Sequence, residues 1–154
     1  MTVKAIPEGY HSLTVYLSVT GASEAIEFYK KAFNAIEEFR LDGPDGKVGH
    51  AELSIGDTRM MISEPCAAGA LGALEPGTKP SFGLHLYVEK VDARYQQAID
   101  AGGEVVTPVS DQFYGDRMGT LKDPFGNLWF IATHIEDLTH EQISARAGEM
   151  FAQH

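Results

Sequence analysis

A chain of 154 residues, 44% hydrophobic, is long enough to bury one real core and too short for two independent domains of ordinary size. Its formal net charge of -10, from 12 Lys and Arg against 22 Asp and Glu, argues against nucleic acid or an anionic membrane as partner, because counterion release requires clustered cations. One cysteine, Cys66, allows no internal disulfide; no apolar run approaches the ~20 residues of a membrane helix, and no N-terminal segment has signal-peptide order, so the expected location is the cytoplasm.

Met1 to Tyr10, with Pro7 and Gly9, reads as a lead-in. Leu13 to Val19 alternates as a strand does, with Leu13, Val15, Leu17 and Val19 on the core face and Thr14, Tyr16 and Ser18 on the other. Ser23 is the expected cap of a helix over Glu24 to Phe33, whose Ala25, Ile26, Tyr29 and Phe33 share one face. Ala35 to Leu41 follows as a strand, and Lys47 to Ile55, Gly56-Asp57 and Thr58 to Ser63 read as a hairpin. In that hairpin His50 and Glu52 alternate with Ala51, Leu53 and Ile55, so they point away from the helices. Residues 65–80, rich in Ala, Gly and Pro, read as a linker or lid.

The second half repeats the order. Ser81 to Val88 is a strand with Phe82, Leu84, Leu86 and Val88 as the core set and Gly83, His85 and Tyr87 opposite. A helix over Val91 to Ala101 ends at Gly102-Gly103, a strand covers Glu104 to Val109, and Arg117 to Lys122 and Leu128 to Thr133 flank the turn Asp123-Pro124-Phe125-Gly126-Asn127. Sliding Val19 onto Val88 lays the two halves over each other, so strand, helix and three strands occur twice. Thr139 with Gln142 forms a capping box for a last helix to about Met150, whose Ile143, Ala147, Met150 and Phe151 make an apolar stripe. The expected organisation is one α+β domain over 1–154: module one about 10–64, linker 65–80, module two about 81–134, C-terminal helix about 139–150.

Two βαβββ modules carrying Ala25-Ile26-Glu27-Phe28-Tyr29, Gly49-His50-Ala51-Glu52-Leu53, Gly115-Asp116-Arg117 and Asp123-Pro124-Phe125-Gly126 resemble the vicinal oxygen chelate superfamily, which includes glyoxalase I, bleomycin-resistance proteins and extradiol dioxygenases. Within it they are similar to the PhnB-like branch. The resemblance implies the glyoxalase/bleomycin-resistance fold, with both modules in a curved mixed sheet around a central cleft, and a homodimer. It also implies a divalent metal, held by side chains on the first strand of each module and the last strand of a module, that grips two adjacent substrate oxygens as a Lewis acid. Those ligand positions fall on Thr14, Gly83 and Phe130, with Met60 as the match of Phe130 in module one. Thr14 is a weak ligand and the others carry no donor, so no metal is expected at the usual positions.

A cleft lined by Tyr16, Met60, His85, Tyr87, Leu128 and Phe130 suits a small organic molecule. Arg117 is a candidate clamp for a carboxylate, phosphate or phosphonate, or else an ion-pair partner of Asp116 or Asp123. His50, Glu52 and His85 are the candidate catalytic group, either as displaced ligands of a divalent metal or as a metal-free acid and base. Trp129, on the face opposite Phe130, belongs to the core. The expected function is therefore binding of a small organic molecule without the usual metal; the alternatives are a metal-dependent lyase, isomerase or dioxygenase with displaced ligands, and a metal-free acid/base enzyme using His50 or His85.

Overall fold

The structure, a computed structural model, describes residues 2–153. Eleven elements follow one another: β1 (Tyr16–Ser18), α1 (Ala22–Phe33), β2 (Ile36–Asp42), β3 (Val48–Ile55), β4 (Thr58–Ser63), β5 (Gly83–Tyr87), α2 (Val91–Asp100), β6 (Glu104–Asp111), β7 (Asp116–Lys122), β8 (Leu128–His134) and α3 (His140–Ala152). The chain forms two compact units, one running to Lys79 and including Pro124–Gly126, the other comprising Pro80–Asp123 and the chain from Asn127 onward.

Each unit holds a four-stranded sheet, ordered β1-β4-β3-β2 in the first and β5-β8-β7-β6 in the second. The two βαβββ modules of the expected α+β fold are present, each module with its own four-stranded mixed sheet. In each, the first strand of the module pairs in parallel with its last, β1 with β4 and β5 with β8, and the remaining pairs are antiparallel. This closes every module on itself, because the helix between the first two strands carries the chain across to the far edge.

In the first unit α1 packs on β2 and β3 and buries Ala22, Ala25, Ile26, Phe28, Tyr29, Ala32 and Phe33. Tyr29 stacks on Phe33 at 6.2 Å and 17°, while Phe28 meets both edge-on, geometries worth about 1 kcal/mol each beyond area burial. Ser23 is not the cap. The helix begins two residues earlier, at Ala22 with Gly21 as N-cap at φ 81°, and the Glu64 carboxylate accepts from the Gly21 and Ala22 N–H groups at 2.9 and 2.8 Å. An acidic group at a helix N-terminus satisfies orphan donors and complements the dipole, and here it arrives from just beyond β4.

The second unit packs α2 on β6, β7 and β8 and centres on Leu121, Trp129, Ile131, Ala132, Val91, Tyr95 and Ala98. Phe82, expected in the core, is 52% exposed and precedes the strand. Pro108 sits in β6, where a missing N–H is tolerated because β6 is an edge strand. In the DPFGN turn Asp123, though buried, accepts from the Asn127 N–H and from Trp129 Nε1–H, both at 3.0 Å. The α3 capping box forms as expected, but none of the helix's residues is fully buried. Residues 65–80 contain no helix or strand, and among the described residues no helix is long and apolar enough to cross a membrane.

Candidate functional site

The face of each sheet turned away from its helix is where the candidate residues gather, and the pairing register sets which ones. In the first unit one row runs Tyr16, Met61, Glu52, Phe39 across β1, β4, β3 and β2. His50, two residues from Glu52, lies on the same face opposite Leu41. Met60 does not: it is buried beside Ile62, and the half-exposed methionine of the helix-free face is Met61. The alternation in β4 thus corrects the assignment of Met60 as a lining residue and shows Met61 as the residue missed. Counting from the turn gave the position to within one, and one residue inverts a side chain in a strand.

Tyr16 and His50 make the central contact here, with the phenol oxygen 2.8 Å from His50 Nδ1. The other ring nitrogen, Nε2, lies 3.4 Å from Glu52 Oε1. Tyr10 Oη is buried beside this group without a partner at hydrogen-bond geometry, and the Arg59 guanidinium covers the Tyr10 ring at 5.3 Å. Tyr10 is the foremost of the groups that hold the Glu52 carboxyl below the usual range; burial opposes it, and His50 and Arg59 add to it. Conversely burial, and then Glu52, push the Tyr10 phenol up.

In the second unit the row is His85, Phe130, Thr120 and Thr107, with Tyr87, Ala132, Met118 and Ser110 beside it. His85 stacks near Phe130, with centroids at 6.0 Å and 20°, and lies 4.7 Å from the Tyr87 ring. Leu128 is half-buried on the same face, opposite Gly83. A Cβ on Gly83 would collide with the Phe130 ring, so this glycine and this phenylalanine fit together as a pair. Next along the face the Tyr87 hydroxyl donates to Asp116 Oδ2 at 2.7 Å, and His134 Nδ1 meets Asp116 Oδ1 at 2.8 Å while its Nε2 meets Asp137 at 2.8 Å. Burial of Asp116 pushes its carboxyl up, but Tyr87 and His134 outweigh burial and hold it below the usual range. The Asp116 carboxylate in turn pushes the Tyr87 phenol up to about 12.

Arg117 lies elsewhere. It is on the helix-facing side of β7, where Nε and Nη2 donate to Asp92 at the start of α2 and Nη1 donates to Asp111, at 2.8 to 2.9 Å. Its partners are neither Asp116 nor Asp123, and a guanidinium already gripped by two carboxylates is not placed as a ligand clamp.

This pair of modules matches a known family over residues 11–131, the glyoxalase/bleomycin resistance protein/dioxygenase superfamily. The chain belongs to that superfamily. It is 38% identical over 138 residues, 87% of this chain, to an uncharacterized protein of Mycobacterium bovis, Mb0911c, of which it covers 90%. Its fold matches that of TioX from Micromonospora sp. ML1, with a TM-score of 0.63 at 22% identity over 84% of this chain and all of TioX. It also matches a Bacillus cereus PhnB protein described as a putative 3-demethylubiquinone-9 3-methyltransferase, with a TM-score of 0.63 at 19% identity over 80% of this chain and 99% of that one.

The superfamily's chelated metal can be tested against the donors present. Thr14 is half-buried before β1, and Gly83 and Phe130 fill one another's space. Among the described residues no group of three or more His, Cys, Asp or Glu side chains is gathered to hold a metal ion. His50 and Glu52 belong to the first unit and His85 to the second. Of the three positions where the resemblance places ligands, Thr14, Gly83 and Phe130, only Thr14 carries a side-chain donor, a hydroxyl.

Proposed function

We propose that this superfamily member binds a small organic molecule on the helix-free faces of its sheets, without the metal chelation from which the superfamily takes its name. The observation that carries this reading is the pairing of Gly83 with Phe130, two positions where the resemblance places metal ligands. One supplies no side chain, and the ring of the other occupies the space that a side chain there would need. What remains on these faces is aromatic surface with a few polar groups. Phe39 is 46% and Tyr87 59% exposed, and His85, Phe130, Tyr16 and Met61 lie beside them, a composition suited to organic ligands. A binding role is preferred to a lyase, isomerase or dioxygenase that works through a metal, since two donors on one strand are too few for a stable divalent site.

The test is elemental analysis of untagged protein before and after incubation with Mn, Fe, Ni and Zn, together with a ligand screen read by amide chemical shifts. The expected result is no stoichiometric divalent metal, and aromatic fragments that shift amides of β1, β3 and β4 or of β5 and β8. One equivalent of metal per chain, lost in His50→Ala, would overturn the proposal in favour of the metal enzyme.

A further inference from the structure

We infer that Tyr16, His50 and Glu52 form a proton relay that binds a planar ligand through a weakly acidic hydroxyl, a phenol or an enol, and removes its proton. The inference rests on the binding reading above and names the ligand class for the first unit.

The hydrogen-bond roles follow from chemistry. Glu52, held ionised by Tyr10, His50 and Arg59 against burial, can only accept, so His50 Nε2 carries the proton that faces it. In the neutral ring that leaves Nδ1 as an acceptor, and the hydroxyl 2.8 Å away is the donor: Tyr16 points its proton at His50. The outward lone pair of Tyr16 Oη then becomes the acceptor offered to a ligand, and Tyr16 is 37% exposed to receive one. Nucleophile or base, imidazole and orienting carboxylate stand in the order of activated hydroxyls generally.

The transfer needs no co-reactant. The ligand O–H donates to Tyr16 Oη and its proton passes to that oxygen. Tyr16's own proton passes to His50 Nδ1, and the bonding pair stays on the ligand as an oxyanion. His50 becomes an imidazolium facing Glu52, and the new anion faces a group that already contains the Arg59 cation. The transfer leaves net charge unchanged: the imidazolium faces Glu52, and the oxyanion lies near the imidazolium that took its proton. The planar body has rings to meet: Phe39 and Tyr16 flank His50 at centroid distances of 6.4 and 5.5 Å, and Met61 lies between Tyr16 and Glu52 in the row, a polarizable neighbour for an aromatic face.

The probe is 4-nitrophenol, whose phenolate absorbs in the visible. It is titrated into the full chain at a pH below the probe's own pKa, while amide shifts report occupancy. The expected result is a phenolate band that saturates with protein and falls by about tenfold or more in Tyr16→Phe, the loss of one charge-assisted hydrogen bond, while amide shifts on β1, β3 and β4 persist. Glu52 is a positioning residue, so Glu52→Gln should bind the probe but need a higher pH for the same band. Binding of 4-nitrophenol in its neutral form, or an equal band in Tyr16→Phe, overturns the relay and leaves the binding reading standing. No amide shift on this face overturns the relay, and no shift on either helix-free face, with this probe or in the fragment screen, overturns the binding reading as well.

Discussion

Met60 and Met61 are neighbours with opposite fates. Met60 is 3% exposed against the core, so truncation to Ala should cost about 2–5 kcal/mol, the range for large-to-small core changes. Met61, half-exposed on the other face, should cost less than about 1 kcal/mol yet weaken binding of the fragments that shift β1 and β3. Denaturant unfolding of both variants, with the amide-shift titration beside it, checks the pair; equal destabilisation would refute the register. At this scale the sequence was readable where alternation was long. The His50 and Glu52 face emerged from eight residues of β3. It was not readable where a residue's partner is distant: nothing near Arg117 in sequence points to Asp92, 25 positions away. The Tyr16–His50 contact, at a separation of 34, joins two residues that alternation placed on the same sort of face but could not place side by side.

Elements were legible in proportion to their local signals. The β3–β4 hairpin and the Thr139 capping box have punctuation in the chain itself, and the turn and the cap fall where expected. The start of α1 escaped because its cap is Glu64, brought back by the strand pairing, whereas Ser23 only resembled a local cap. Strand order within each module was not legible for a related reason: it is set by which edge a helix crossover reaches, and periodicity carries no record of it. At the junction of β7, β8 and the segment before α3, His134 stands between two carboxylates, Asp116 and Asp137, which hold its imidazole above the ordinary histidine range. Tyr87 donates to the same Asp116, with Tyr114 and His85 also acting through it. The histidine contribution is complete below the unfolded value near ~6.5 and is lost as pH rises through the folded one. The Asp116 contribution is present above ~4 and is lost as pH falls through its lowered value. Stability from this junction therefore peaks between ~4 and ~6.5. Thermal melts from mildly acidic to alkaline pH should show a decline above neutrality that His134→Gln flattens; an unchanged decline would show that the junction does not couple to folding.

Across the whole molecule the same βαβββ plan is used twice with different chemistry on the open face. The first unit places a phenol, an imidazole and a carboxylate in sequence, and the second stacks rings over a glycine and buries an aspartate behind them. The repeat was visible in the order of elements, but the divergence of the two faces lives in register and pairing, so it emerged only with the fold. One consequence follows from the Asp123 turn. Trp129 is the sole tryptophan of the chain, 2% exposed, with its indole N–H on Asp123. All of this lies in the second unit, whereas the first unit has only tyrosines and phenylalanines as aromatic emitters. Intrinsic fluorescence excited at the indole band is thus an address: its red shift on unfolding should follow β8 and the indole's bond to Asp123, while far-ultraviolet dichroism averages both halves. Met60→Ala, a lesion confined to the first unit, should lower the dichroism midpoint; a fluorescence midpoint that falls with it would show that the halves unfold as one cooperative body, and one that stays would show two. The protein carries an optical label on one half and leaves the other dark.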